Sequence, residues 1–156
     1  FLYGRNYRGS YRKGWKNGQR SRSLMSEEFK IEIVNPERSF LSKKDVTEVV
    51  IPAFEGEMGI LKDHISIISF LKPGIIKIFS KNNEEKFYVE DGIVEFKDNS
   101  LSILTSSIFG LDKIDRDYVN QSIQDAEKEL LNENIEDQKR FLISQKIDVL
   151  KSIGFN

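Results

Sequence analysis

The 156-residue chain contains no cysteine, a single histidine (His64), three prolines and two alanines (Ala53 and Ala126). Without thiols there is no disulfide framework, thiolate zinc site, iron–sulfur cluster or cysteine nucleophile, and one imidazole cannot build a multi-histidine metal centre. No apolar run approaches the ~20 residues that span a bilayer as a helix. A glycine-rich phosphate loop, a Ser–His–Asp arrangement and metal-ligand spacing are also missing, so neither cofactor nor metal is expected. What remains is a chain long enough to bury roughly two-thirds of its unfolded surface around its own core.

Its near-neutral charge of −1 is a sum of two unlike parts. Residues 1–24 carry seven basic side chains (Arg5, Arg8, Arg12, Lys13, Lys16, Arg20 and Arg22) and no acidic one, leaving −8 for the rest. This segment has no sustained apolar face with which to join a core, and we read it as a disordered basic tail, with Met25 as the natural start. Three readings stand for it. Tyr3, Tyr7, Tyr11 and Trp15 alternate with Arg and Gly, a pattern in which rings stack on bases while cations meet phosphates, so one reading is a nucleic-acid-binding protein acting through this tail. A second is a mitochondrial transit peptide. The third is that the segment is not native coding sequence.

From residue 28 to 107 the pattern is short strands separated by turns. Phe29, Ile31 and Ile33 alternate with Lys30 and Glu32 before Asn35 and Pro36 break the run. Further strands are expected at 46–51, 65–70, 75–80, 86–90, 93–96 and 101–105, with turns at 55–59, 72–74, 81–84, 91–92 and 97–100. Such spacing indicates an antiparallel β-sandwich or flattened barrel. After Gly110 the period changes to about 3.6. Ile114, Tyr118, Val119, Ile123, Ala126, Leu130 and Leu131 share one helical face, with Asp112 placed to cap the start. A second helix is expected from about Asn134 to Gly154, carrying Ile135, Phe141, Leu142, Ile147, Leu150 and Ile153, so the pair should form an antiparallel hairpin. The expected organisation is thus a tail at 1–24, a β-sandwich at 25–108 and an α-helical hairpin at 109–156.

Gly56, Gly59, Gly74 and Gly92 read most simply as turn residues. His64 reads as a hydrogen-bonded loop residue or as a contact for a partner. Glu55 and Glu57 could pass for a hydrolase pair, but they sit on a turn with no cleft-forming partner in sequence, where solvated carboxylates are the rule.

A sandwich of about 80 residues followed by a helical hairpin resembles the epsilon subunit of the proton-translocating ATP synthase. The most specific stretch is EGEMGILKDHISIISFLKPGIIKI, from Glu55 to Ile78, similar to the family's Gly-x-x-Gly-Ile-Leu-x-x-His loop and the Leu-x-Pro-Gly strand start after it. The opening FKIEIVNPERSF and the YVEDGIVEF stretch agree in place and type. Family members often have prolines around the loop histidine, where Lys62, Asp63, Ile65 and Ser66 stand here. The resemblance implies a non-catalytic subunit of the rotary motor's central stalk. It would join the gamma subunit to the c-ring, peripheral to the cytoplasmic face of a bacterial inner membrane, with no nucleic-acid partner. It also implies that Glu55, Gly56, Glu57, Met58, Gly59 and His64 form the docking loop. The hairpin would reach the alpha and beta subunits and restrain ATP hydrolysis if it extends. Some relatives bind ATP through Ile-Asp-x-x-Arg-Ala; here Ile114, Asp115, Tyr118 and Val119 match only in part, with Tyr118 in place of the arginine, so no nucleotide is expected. The resemblance also bears on residues 1–14: back-translated and shifted by one base, they allow a string similar to the C-terminal end of an ATP synthase beta subunit, whose gene commonly precedes epsilon in bacteria.

Overall fold

The computed structural model describes residues 27–154, so the basic segment 1–24 and Met25 lie outside the described residues. Nine strands and two helices are formed among them: β1 (Phe29–Asn35), β2 (Arg38–Ala53), β3 (Gly56–Leu61), β4 (Ile67–Leu71), β5 (Gly74–Ser80), β6 (Asn83–Val89), β7 (Gly92–Lys97), β8 (Ser100–Leu104), β9 (Ile108–Gly110), α1 (Arg116–Leu130) and α2 (Asp137–Ser152).

The strands make a flattened barrel because β2, sixteen residues long, serves both layers. Its first half pairs with β1, which continues through β8 and β7 to β4; its second half pairs with β3 and β5, and β5 leads on through β6 to β9. An irregularity in register between Val46 and Glu48, where the strand passes from one layer to the other, supplies the bend. The tight connections carry their expected chemistry. Asn35 Oδ1 accepts the backbone N–H groups of Glu37 and Arg38, closing the β1–β2 turn. Asp98 and Asn99 both adopt positive φ (51° and 56°), the backbone of a two-residue hairpin turn between β7 and β8.

Period-two alternation sends Phe29, Ile31, Ile33, Val49, Ile51, Ile76, Ile78, Val94, Phe96, Leu101 and Ile103 inward to one core. Each fully buried large side chain of this kind contributes about 1.5–3 kcal/mol, and the eighteen buried members of the cluster form the main core of the described residues.

The helices pack antiparallel, with Ala126 of α1 against Ile143 and Ile147 of α2, and Arg140 reaches back to donate to the carbonyls of Leu130 and Asn132 at the end of α1. Three local expectations are corrected. The α1 cap is Asp115, which accepts the Asp117 N–H, rather than Asp112, because the chain between Gly110 and Ile114 is spent leaving β9. α2 starts at Asp137, since Asn132 Oδ1 accepts the Asn134 N–H and holds a turn there. Residues 55–59 are not a turn: the β2–β3 turn is Phe54 and Glu55 alone, and Gly56 to Gly59 run as a strand paired with Ala53 to Val50.

Candidate functional site

The β2–β3 hairpin determines where the expected docking residues stand. Glu55 is at the exposed tip, and Gly56 beyond it has φ 132°, a backbone that favours glycine. Glu57, opposite Pro52, and Gly59, opposite Val50, are exposed, while Met58 leans on the core. Gly59 and Gly74 have no positive φ, so neither is a turn glycine in the expected sense. His64 is not brought to this tip. It follows β3 at the other end, where its ring meets Phe96 edge-on at 5.9 Å and its Nδ1 lies 2.8 Å from the Ile65 carbonyl. Since β3 is extended, Glu57 to Leu61 alone spans about 13 Å. The expected loop is therefore two separate features joined by a strand.

Beside the tip lies a surface that alternation in the sequence does not single out. On the outer face of the β4–β7–β8–β1 layer, Phe70 stands directly across from Ile93, Ile93 from Leu104, and Leu104 from Val34. Phe70, Ile93 and Leu104 are 57%, 45% and 51% exposed, so three adjacent strands carry an apolar row facing solvent, which the half-buried Val34 of β1 continues. Ile68 and Glu95 form the next rank. The tip joins the row, because the Phe54 N–H donates to the Phe70 carbonyl. Phe54, Phe70, Pro73, Ile93 and Leu104, with Leu142 of α2 on the far side, bound an open cleft of ≈ 420 Å³. Contiguous apolar surface of this kind on a folded chain is a candidate contact surface.

The hairpin lies down on the other layer. Tyr88 of β6, fully buried, is covered by Ile114, Val119 and Leu150, with Ile75 and Phe109 beside them. Its hydroxyl donates to Glu90, and burial together with that carboxylate pushes the phenol above its usual range, so it stays a donor. Tyr118, expected on the buried face, is partly exposed and packs its ring 4.8 Å from Phe109. Asp115 is occupied as the helix cap.

Glu55 and Glu57 face solvent, and among the described residues no group of three or more acidic or histidine side chains could hold a metal ion. Among them no helix is long and apolar enough to cross a membrane.

Residues 28–110 match the family model of the ATP synthase delta/epsilon chain β-sandwich domain. Over 129 residues the chain is 70% identical to the ATP synthase epsilon chain of Pelagibacter ubique (strain HTCC1062), covering 83% of this chain and 99% of that one. Against the epsilon chain of Rhizobium etli (strain CIAT 652) it is 36% identical over 106 residues, covering 67% of this chain and 78% of the relative. Its fold is similar to a chain in the Euglena gracilis mitochondrial ATP synthase structure of OSCP, F1 and c-ring, with a TM-score of 0.63 at 18% identity over 80% of this chain and 78% of that one. A chain of the Tetrahymena thermophila mitochondrial ATP synthase central stalk and c-ring gives a TM-score of 0.58 at 16% identity over 78% of this chain and 92% of that one. Sandwich, hairpin and the identity over nearly the whole of a relative agree, and the chain belongs to the ATP synthase epsilon chain family.

Proposed function

We propose that this chain, a non-catalytic subunit of ATP synthase, links the gamma subunit to the c-ring in the central stalk and so passes torque between proton flow and ATP synthesis. It does so from the cytoplasmic face of a bacterial inner membrane, held there by the complex. The observation that carries the reading is the exposed apolar row of Phe70, Ile93 and Leu104, continued by half-buried Val34, on the sandwich of an epsilon-family chain. This row serves as the anchor for gamma, since desolvated apolar groups supply most of the energy of an interface while charged rims set register. Glu55, Gly56, Glu57, Met58 and Gly59, on the projecting β2–β3 hairpin, face the polar loops of the c-ring. The row and the tip adjoin, so in this reading the two partners meet the sandwich on neighbouring surfaces.

The test is the affinity of the full chain for purified gamma. Ile93→Asp puts a charge in the middle of the row without touching the core. It is expected to weaken gamma binding by at least about tenfold, or about 1.4 kcal/mol, at an unchanged melting temperature. Equal affinity would remove the row from the interface.

A further inference from the structure

The outward face of β4, β7, β8 and β1 carries its side chains in ranks that run across the strands, and each rank has its own chemistry. Beside the β2–β3 tip is the apolar row of Phe70, Ile93 and Leu104. One pleat further along the strands, the register puts Glu95 of β7 level with Ser102 of β8, and Ser102 level with Glu32 of β1. One pleat beyond that, next to the β7–β8 turn, Lys97 is level with Ser100, and Ser100 with Lys30. Two residues of a strand span about 7 Å, and β7 and β1 lie about 10 Å apart across β8. From the tip towards the β7–β8 turn the face therefore reads apolar, acidic, basic. Lys30, Glu95 and Lys97 are exposed and Glu32 is half-buried, and none of the four makes an ion pair among the described residues. The stability of this chain alone does not call for that order. Like charges within one rank stand about a Debye length apart, and exchanging Glu95 with Lys97 would place opposite charges in both ranks.

We propose that the two charged ranks set the orientation in which the sandwich seats on gamma: gamma meets Glu32 and Glu95 with cationic groups and, one pleat further from the β2–β3 tip, meets Lys30 and Lys97 with anionic ones. This rests on the reading of the apolar row as the gamma anchor and supplies what that row lacks. An apolar row gives affinity with little direction, whereas a face whose charge changes sign along one axis is matched in one orientation and opposed in the reverse one. The four charges sum to zero, so the ranks carry direction and no net attraction. In a torque link that direction decides whether the β2–β3 tip points at the c-ring.

The test is an exchange that conserves composition. Glu32→Lys, Glu95→Lys, Lys30→Glu and Lys97→Glu in one full chain invert the order of the ranks and leave the net charge, the core and the apolar row as they are. At about 0.1 M salt this chain is expected to bind purified gamma at least about tenfold more weakly than the parent, at a matched melting temperature. At about 1 M salt the gap should close to within about twofold, because exposed charges are then screened over a few ångströms. Two half-neutralised chains, Glu32→Gln with Glu95→Gln and Lys30→Gln with Lys97→Gln, should each bind about threefold or more weakly than the parent at low salt. The proposal is overturned if the inverted chain binds within about twofold of the parent at low salt. If Ile93→Asp still weakens binding in that case, the row remains the anchor and the ranks alone lose their role; if neither change matters, the face is not the gamma surface. It is also overturned if neutralising the lysines strengthens binding, which would make gamma a uniformly cationic partner, or if the gap persists undiminished at high salt, which would make it a matter of shape and not of charge.

Discussion

Asp63 and Asn99, thirty-six positions apart, hold each other by two hydrogen bonds: the Asp63 N–H donates to Asn99 Oδ1 at 2.7 Å and Asn99 Nδ2 donates to Asp63 Oδ1 at 3.0 Å. The pair ties the turn that carries His64 to the tip of the β7–β8 hairpin, and both residues have positive φ. Asn99→Gly keeps that backbone accessible but removes the tie. It should lower the unfolding free energy by about 1 kcal/mol and speed hydrogen exchange at the His64 amide, which donates to the Leu61 carbonyl. Asn99→Ala should cost about 1 kcal/mol more, since it adds backbone strain. Urea unfolding of the two variants against the parent separates the tie from the strain.

The glycines of the most family-specific segment should respond with opposite signs. A Cβ on Gly74 would lie 2.4 Å from the Cβ of Pro52 and 2.8 Å from its Cγ, so Gly74→Ala must push β5 and β2 apart at a cost of about 1–3 kcal/mol. A Cβ on Gly59 meets only Glu48 Oε2 at 3.5 Å, and Gly59→Ala should stabilise the isolated chain by roughly 0.5–1 kcal/mol. Denaturant midpoints for both variants check this; destabilisation by Gly59→Ala would show that the flat strand surface is needed by the fold itself.

The β-layers were legible wherever one side of a strand is apolar and the other polar, as in Phe29, Ile31 and Ile33, because one-sided burial imposes the alternation. β3 was not, because Glu, Gly, Glu, Met and Gly spell a turn by composition, and only pairing with β2 makes them a strand. The first half of β2 escaped for a related reason: residues 38–45 are largely exposed or half-buried, so no buried face marks them. The apolar row was hidden by its own chemistry. In the run from Ile67 to Leu71, inward Leu71 and outward Ile68 and Phe70 are equally apolar, and sequence does not say which side is dry. The hairpin was read from its period, but Tyr118, assigned to its buried face, stands at the rim on Phe109, a contact that depends on how the hairpin lies on the sandwich.

Because β3 separates Glu57 from His64, the two sites should act independently. Glu57→Lys and His64→Glu are each expected to leave the isolated fold intact and to loosen the coupling of proton flow to ATP synthesis only mildly. The double variant should show the sum of the two effects and faster salt-dependent release of the catalytic head from membranes. Release assays on the two singles and the double will show it. A double effect well beyond the sum would mean that the two residues share one contact.

Nucleotide should not bind. With Tyr118 packed on Phe109 and Asp115 engaged as a helix cap, the segment from Ile114 to Val119 offers no cation at the position of the family's arginine. The missing charge-assisted bond is worth about 1.5–3 kcal/mol, roughly ten- to a hundredfold in affinity. Calorimetric titration of the full chain with ATP should give no binding heat up to about millimolar nucleotide, and a submillimolar dissociation constant would refute the prediction.

The torque link is tested most directly by rebuilding ATP synthase in vesicles from membrane sectors and catalytic heads prepared without this chain, then adding back either the parent protein or the Phe70→Asp, Ile93→Asp double variant. Proton-driven ATP synthesis should be restored by the parent and should stay at least about tenfold lower with the variant, although both proteins melt alike. Full synthesis with no chain added, or equal rates with parent and variant, would contradict the account.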